Sequence, residues 1–224
     1  MIGIIVAMAS EFDLVVKALA NPQIKKIKHI TFALGQINGK DVVLMQSGMG
    51  KVCSGCATVE MINNFAPQCI INTGLAGGLD SSLSVMDIVA GKDIVYHDVW
   101  CGPENAYGQI QGLPEMYHSD DKLVNKACTI QADVKIKAGL IASGDKFISE
   151  MAELKQIKSH FAQALAVDME SASIAQVCYM YNVPFLSLRI ISDTPGIDNH
   201  YAQYNDFWNQ APEKSLQVIK QLLA

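Results

Sequence analysis

Short, nearly continuous apolar runs alternate along the chain with segments that have helical spacing. The runs Ile2–Ala7, Ile88–Tyr96 and Phe185–Ile191 predict buried strands. After Glu170, apolar residues recur at i, i+3, i+4 and i+7, which predicts a helix with one buried face. Strands that alternate with helices predict an α/β fold with the sheet covered on both faces.

Turn-forming residues mark the boundaries of these elements. Asn38-Gly39 predicts a hairpin between the strands Ile27–Leu34 and Asp41–Gln46, and Ser10 predicts the N-cap of the first helix. Cys69–Thr73 predicts a short strand ending in a loop, Gly74–Gly78, whose glycines let backbone approach a ligand. The segment His97–His118 has no periodicity and predicts a long loop, typical of a lid or a partner contact. We therefore expect a single α/β domain over residues 1–224, with a mixed, twisted β-sheet flanked by helices.

Composition narrows the class of protein. The chain has 224 residues, of which 50% are hydrophobic, enough to bury one full core. The net charge of −5 gives no basic footprint, so we expect a small-molecule ligand and no nucleic-acid partner. The first apolar run has no basic residues before it and soon meets Glu11 and Asp13, unlike a signal peptide. Polar residues interrupt the longest uncharged stretches, so we expect no membrane span and a cytoplasmic protein.

Cysteine and histidine residues give no pattern of metal ligands. The six cysteines lie mostly inside apolar segments, as small core residues would, and we expect them to be reduced cytoplasmic thiols. Cys53-x-x-Cys56 could form half of a zinc or redox motif, but no second pair has matching spacing. The five histidines are scattered. We expect neither a metal nor a cofactor.

A few acidic residues lie where apolar runs end. Glu11 follows the first strand, Asp168 and Glu170 follow another, and Asp193 follows the last. This edge of an open α/β sheet is where ligands bind, so these positions predict a site. Arg189 is the only arginine in the chain, whereas enzymes that bind a free phosphate usually gather several.

Five motifs in one order and spacing carry a resemblance to a known family. They are Gly3–Met8 with Glu11, Asn72–Gly78, Ser143-Gly144-Asp145-x-Phe147, Val167-x-Met169-Glu170 and Ser192-Asp193. Together they resemble the 5′-methylthioadenosine/S-adenosylhomocysteine nucleosidases of the purine nucleoside phosphorylase superfamily, over nearly the whole chain. The resemblance implies a nucleoside phosphorylase-like fold and a homodimer. It also implies hydrolysis of the N-glycosidic bond of both nucleosides, which releases adenine and the thioribose in methionine salvage.

N-glycosidic cleavage needs an acid for the leaving base, stabilisation of a cationic sugar and activation of water. The resemblance implies that Asp193 protonates adenine N7 through a raised pKa, Glu170 binds the ribose hydroxyls, and Glu11 is the general base. Each also has a structural interpretation: a turn residue for Asp193, and a favourable charge in the first turn of a helix for Glu170 and Glu11.

The resemblance also implies the substrate contacts. Phe147 and Met169 would line the purine and ribose, and the backbone at Ile148 would meet the base edge. The 5′-thio pocket would include residues of a partner subunit's long loop. The candidates for that pocket are Met8, Met49, Tyr107 and Tyr204, and the further substrate contacts are Ala76, Gly77 and Arg189.

Two positions depart from the family pattern. Leu75 stands where some relatives have a hydroxyl that helps hold water or phosphate, and Asp168 stands where some nucleosidases have Glu.

Three alternative functions stay open. One alternative is a phosphorylase, in which Lys51 or Lys146 would neutralise the phosphate as point charges. A second is a non-catalytic nucleoside-binding protein on the same fold. A third is a nucleosidase for a larger 5′ group, such as that of 6-amino-6-deoxyfutalosine.

Overall fold

The computed structural model describes residues 1–193 and 211–224. Within them one mixed sheet contains ten strands. The strands are β1 (Ile2–Val6), β2 (Ala20–Ile27), β3 (Ile30–Ile37), β4 (Lys40–Gln46), β5 (Ile70–Gly78), β6 (Ile88–Tyr96), β7 (Tyr117–His118), β8 (Ile136–Ser143), β9 (Ala164–Asp168) and β10 (Phe185–Asp193). The helices are α1 (Ala9–Ala18), α2 (Lys51–Phe65), α3 (Asp121–Cys128), α4 (Met151–His160), α5 (Ser171–Tyr181) and α6 (Ala211–Leu222).

One half of the sheet is open. β1 lies between β4 and β5, parallel to both, and β3 and β2 follow as antiparallel strands. The predicted hairpin at Asn38-Gly39 joins β3 to β4, and both residues have positive φ, +52° and +75°, as a type I′ turn requires. β2 forms the edge of the sheet.

The other half of the sheet closes on itself. β5 pairs with β10 in parallel and with β9 in antiparallel orientation, and β9, β8, β6 and β10 pair in succession. These five strands therefore form a closed barrel. Near their carboxyl ends β5 and β9 meet, with Gly77 opposite Val167, and β10 brings Asp193 opposite the same glycine. This arrangement gathers the ends of β5, β9 and β10 beside the end of β1.

Helices cover both faces of the sheet, so the predicted mixed α/β sheet is confirmed. On one face, α1, α3 and α6 pack against a core that includes Ile4 and Leu188. On the other, α2 and α5 pack against each other and over a core that includes Ile5 and Ile191. Among the described residues, no helix combines the length and the apolar character that crossing a membrane requires.

Four local predictions were wrong. Most cysteines are not core residues, because four of the six are exposed and only Cys178 is buried. Gly74–Gly78 is not a loop but the second half of β5, because ladder bonds to β10 and β9 hold it extended. Ser10 is not the N-cap of α1: the helix begins at Ala9, and Met8 is the cap. The apolar run from Ile27 to Leu34 is not one strand, because a turn with Lys28 at positive φ divides β2 from β3.

Candidate active site

A cleft opens where the ends of β1, β5, β9 and β10 come together. It contains most of the predicted site residues: Met8, Glu11, Met49, Ala76, Gly77, Phe147, Ile148, Met169, Glu170, Arg189 and Asp193. Its other lining residues are Ala7, Leu75, Lys146, Val167, Asp168 and Ser192. The strand ends thus bring together four carboxylates and the only arginine of the chain.

Two predicted residues are not among those that line the cleft. The ring of Tyr107 stacks on His160 at a centroid distance of 3.7 Å, and its hydroxyl donates to the carbonyl of His97 at 3.1 Å. These contacts hold Tyr107 away from the cleft of its own chain. Tyr204 lies outside the described residues.

Glu11 lies in the first turn of α1, directly after β1. Its carboxylate turns back and accepts hydrogen bonds from the backbone amides of Ala7 and Met8, at 3.1 and 3.0 Å. The residue is only 6% exposed, and burial raises the pKa of Glu11 to about 7. The amides and the charge of Arg189 oppose this rise. Because its pKa lies near neutrality, Glu11 can both accept and release a proton there.

Glu170 forms the N-cap position of α5. One carboxylate oxygen accepts from the amide of Gly50 at 3.0 Å, and the other accepts from Nη2 of Arg189 at 3.3 Å. Burial raises the pKa of Glu170 above its ordinary value, and Arg189 opposes that rise. Gly50 has φ +84°, a conformation that favours glycine, so the turn before α2 can point its amide at Glu170.

Arg189 projects from β10 and is 1% exposed. Its Nε lies 2.7 Å from Asp168, and Nη2 donates to the side-chain oxygen of Asn72 at 2.6 Å. Nη1 donates to the carbonyl of Leu75 at 3.4 Å. The guanidinium is therefore fixed on three sides by buried acceptors before any ligand binds.

The polar residues that hold Arg189 were missed by sequence reasoning. Asn72 is anchored by donation to the carbonyl of Ile5 at 3.1 Å, and the hydroxyls of Ser171 and Ser187 lie 2.7 Å apart beside it. Asn72 and Ser187 each interrupt an apolar strand, and both are fully buried. Such an isolated polar residue within an apolar strand needs a buried partner, and this was the signal available in the sequence.

Asp193 ends β10 beside a bulge. The register of β10 against β5 shifts between Ile191 and Asp193, which changes the direction in which the following side chains point. The hydroxyl of Ser192 donates to the Asp193 carboxylate, and Asp193 is 1% exposed. The bulge thus places a buried carboxyl group in the wall of the cleft.

The loop after β8 forms the opposite wall. Asp145 accepts from the backbone amide of Lys51 at 2.7 Å and so ties this loop to the start of α2. Phe147 is 41% exposed and presents its ring at the cleft, whereas Ile148 is buried. Lys51 pairs with Asp98 at 2.9 Å, and Lys146 pairs with Glu153. Both lysines near the cleft therefore already have a carboxylate partner.

Comparison with known proteins identifies the family of this site. The model of the phosphorylase superfamily matches residues 1–224. A 5′-methylthioadenosine/S-adenosylhomocysteine nucleosidase from Anoxybacillus flavithermus is 37% identical over 223 residues, covering 98% of this chain and 96% of that protein. The chain belongs to the nucleosidase family of this superfamily.

Solved structures of this nucleosidase family match the whole chain. The enzyme from Neisseria meningitidis in complex with methylthio-immucillin-A has a TM-score of 0.94 and 33% identity, covering 99% of this chain and 97% of that one. The enzyme from Colwellia psychrerythraea in complex with adenine also has a TM-score of 0.94 and 33% identity, covering 99% and 93%. The expected nucleoside phosphorylase-like fold is thus confirmed.

Proposed function

We propose that this chain hydrolyses the N-glycosidic bond of 5′-methylthioadenosine and S-adenosylhomocysteine, releasing adenine and the thioribose. The observation that carries the proposal is the convergence of Glu11, Glu170 and Asp193 around one cleft, each at most 6% exposed. Relatives named 5′-methylthioadenosine/S-adenosylhomocysteine nucleosidase align over nearly the full chain. Solved members of that family bind adenine or methylthio-immucillin-A.

Each carboxylate has one task in the proposed mechanism. Asp193 delivers a proton to N7 of the adenine, so that the base leaves as a neutral molecule. Glu170 accepts hydrogen bonds from the ribose hydroxyls, and its charge favours the oxocarbenium-like sugar. Glu11 takes a proton from the water that attacks C1′, and its pKa of about 7 suits a base at neutral pH. Activity should therefore fall as the pH drops below about 7.

The charges around the cleft favour water over phosphate as the nucleophile. Asp168 and Glu170 already share the positive charge of Arg189, and the ammonium groups of Lys51 and Lys146 already pair with Asp98 and Glu153. A phosphate dianion would enter next to carboxylates without a cation of its own to offset desolvation. We therefore assign the hydrolytic reaction and not phosphorolysis.

The test is a product analysis with and without phosphate. The purified protein is incubated with methylthioadenosine in phosphate-free buffer and, in parallel, with added phosphate. We expect equal rates of adenine release and a sugar product with a free anomeric hydroxyl in both. Strict dependence on phosphate, or recovery of 5-methylthioribose 1-phosphate, would instead show a phosphorylase. No adenine release under either condition would favour a nucleoside-binding protein.

The assay also ranks substrates by the size of their 5′ group. The kcat/KM values for methylthioadenosine, S-adenosylhomocysteine and 6-amino-6-deoxyfutalosine are compared under the same conditions. We expect the first two to be preferred. A higher kcat/KM for 6-amino-6-deoxyfutalosine would instead show that the cleft prefers a substrate with a larger 5′ group.

We further propose that the chain acts in the cytoplasm as a homodimer, each copy being one nucleosidase domain over residues 1–224. Large apolar side chains are exposed at the cleft and on neighbouring elements: Met49 lines the cleft, Val52 lies in the first turn of α2, and Trp100 lies in the loop after β6. Met49 is 65% exposed, Val52 is 75% exposed and Trp100 is 58% exposed. Covering such residues in a second copy would remove apolar surface from water. The loop that includes Trp100 would then help to close the 5′ pocket of the partner.

A further inference from the structure

The contact between Asp168 and Arg189 is the shortest that the guanidinium makes with a carboxylate. Nε of Arg189 lies 2.7 Å from Asp168, compared with 3.3 Å from Nη2 to Glu170. Both side chains of the Asp168–Arg189 pair are only 1% exposed. Ser171 fixes the aspartate, because its amide donates to one carboxylate oxygen at 3.2 Å and its hydroxyl donates to the other. Asp168 is thus a rigid, desolvated counter-ion.

The same guanidinium also lies close to Glu11. A Cβ placed on Gly74 would stand 2.8 Å from Nη1 of Arg189 and 2.9 Å from a carboxylate oxygen of Glu11. The backbone of β5 at Gly74 therefore leaves room for Arg189 and Glu11 to approach the same point. Arg189 therefore pairs directly with Asp168 and Glu170, and it acts on Glu11 through its charge.

Few other charges face Glu11 from the elements around it. β1 and β5 contain no charged residue. β10 contributes Arg189 and Asp193, β9 ends in Asp168, and the start of α5 contributes Glu170. α6 packs on α1, and its Lys214 pairs with Asp133 at 3.9 Å. Beside burial and the backbone amides, Arg189 is therefore the charged group with the largest effect on the ionisation of Glu11.

We propose that Asp168 is a positioning residue that holds Arg189 and limits how much of its positive charge acts on Glu11 and Glu170. The proposal deepens the proposed function, because it assumes that Glu11 is the base of the hydrolytic reaction. Asp168 acts through Arg189. The pair keeps the guanidinium oriented while leaving Glu11 basic enough to take a proton from water.

The proposal predicts the direction of a change in the pH profile. Asp168→Asn removes the negative charge beside Arg189, so the net charge of the site becomes more positive by one unit. A positive charge favours the ionised form of Glu11 and lowers its pKa from about 7. The acid limb of kcat/KM should therefore move to lower pH, by roughly one pH unit. The kcat should fall by roughly 10- to 100-fold, because Arg189 is held less well.

Two further variants separate charge from packing. Asp168→Glu keeps the negative charge but changes the reach of the side chain, so its acid limb should stay at the wild-type pH whether or not kcat changes. Ser187→Ala removes a neutral hydroxyl from the same buried network and should also leave the acid limb in place. A shift in either control would assign the change to packing and overturn the proposal. The proposal would also be overturned if the acid limb of kcat/KM for Asp168→Asn lay at or above the wild-type pH.

A measurement without turnover keeps this test apart from that of the proposed function. The protein is labelled with ¹³C at the glutamate side-chain carboxyl carbon, Glu11 is assigned by its loss in Glu11→Gln, and its titration is followed by NMR. We expect a lower pKa in Asp168→Asn than in wild type. If wild type releases no adenine but the NMR shift occurs, the proposed function fails and the role of Asp168 stands. If the Asn variant does not fold, a changed Glu11 pKa in Asp168→Glu overturns the proposal and an unchanged one supports it.

Discussion

At the scale of single residues, the site is built from groups that are expensive to bury. Glu11, Glu170 and Asp193 are each at most 6% exposed, although a carboxylate prefers water by several kcal/mol. Backbone amides and Arg189 offset only part of this loss for Glu11 and Glu170. The remaining desolvation keeps the pKa values of Glu11 and Glu170 raised. The burial that makes these groups reactive near neutral pH therefore also lowers the stability of the folded protein.

Asp193→Asn should abolish most turnover while leaving the fold intact. An amide can still hydrogen-bond to adenine but cannot deliver a proton, and general acid catalysis is worth ~10²–10⁴-fold. The measurement is the rate of adenine release, with circular dichroism as the check on folding. Asp93→Asn, at a partly exposed carboxylate paired with His118, is the matched control and should keep full activity. An Asp193→Asn enzyme within a few-fold of wild type would remove the acid role.

Glu11→Gln should lose activity and gain stability in alkaline solution. The native pKa of about 7 lies above the ordinary value of 4.5, so the folded protein binds this proton more tightly than the unfolded chain. In the wild type, the stability that protonated Glu11 contributes is present at low pH, and it is lost as the pH rises towards 7. At pH 8 the variant should exceed wild type in free energy of unfolding by on the order of 1–3 kcal/mol.

Urea unfolding of both proteins at pH 5 and pH 8 measures this difference. The advantage of the Gln variant should be smaller at pH 5, where the native Glu11 is already protonated. The same difference at both pH values would mean that Glu11 titrates normally in the fold. Retained turnover in the variant would remove Glu11 from the mechanism.

At the scale of elements, β5 is the strand on which the site depends. It pairs with β1, β9 and β10, and a Cβ at Gly74 would lie within 3.0 Å of both Glu11 and Arg189. Only a residue without a Cβ leaves both groups where they are. The glycine therefore sets the distance between the proposed base and the guanidinium.

Gly74→Ala should fold but lose activity. The new methyl group would lie within 3.0 Å of Arg189 and Glu11, so one of them must move, and small displacements at a reacting centre can lower kcat by about 10²-fold. Gly55→Ala in α2 is the control: its Cβ would meet Ser173 at an ordinary 3.9 Å. That control should match or exceed wild-type stability, since alanine favours helix by up to about 1 kcal/mol. Equal kcat values for the two variants would refute the role given to Gly74.

The sequence predicted the elements better than their pairing. Apolar runs predicted most strands, and the acidic residues at the ends of those runs predicted the position of the cleft. Both signals lie within a short stretch of sequence, so each can be read without knowledge of the strand pairing. The closure of β5, β9, β8, β6 and β10 into a barrel depends on pairs far apart in sequence, which no local pattern specifies. The contacts of Tyr107 with His160 and of Arg189 with Asn72 were hidden for the same reason.

At the scale of the whole molecule, exposed large apolar residues lie at the start of α2 and in the loop after β6, and a separate group, Tyr179–Tyr181, lies at the end of α5. Trp100 stacks on Tyr107 at a centroid distance of 6.3 Å, so this loop has its own aromatic packing and yet leaves the indole 58% exposed. Met49 and Val52 are exposed at the start of α2, which the ion pair of Lys51 with Asp98 joins to the same loop. This distribution suits an interface between copies that also borders the site.

Val52→Glu should shift the protein from dimer to monomer and raise KM for methylthioadenosine. A charge at the centre of an apolar contact is costly to desolvate, and loss of the partner would leave the 5′ pocket open. Ile24→Glu on β2 is the matched control, since Ile24 is also exposed, at 59%, but lies far from the cleft in the sheet order. Sedimentation at the assay concentration measures both. A fully active wild-type monomer would exclude the shared site.

The edge strand β2 bears on how this protein avoids aggregation. In the described part of the chain β2 pairs only with β3, so the other side of its backbone could serve as a template for strands of neighbouring molecules. Pro22 has no amide to offer such a strand, and the register of β2 shifts between Ala20 and Gln23. Lys25 and Lys26 add positive charge along the same edge. These features make the exposed edge of β2 a poor template for the growth of fibrils.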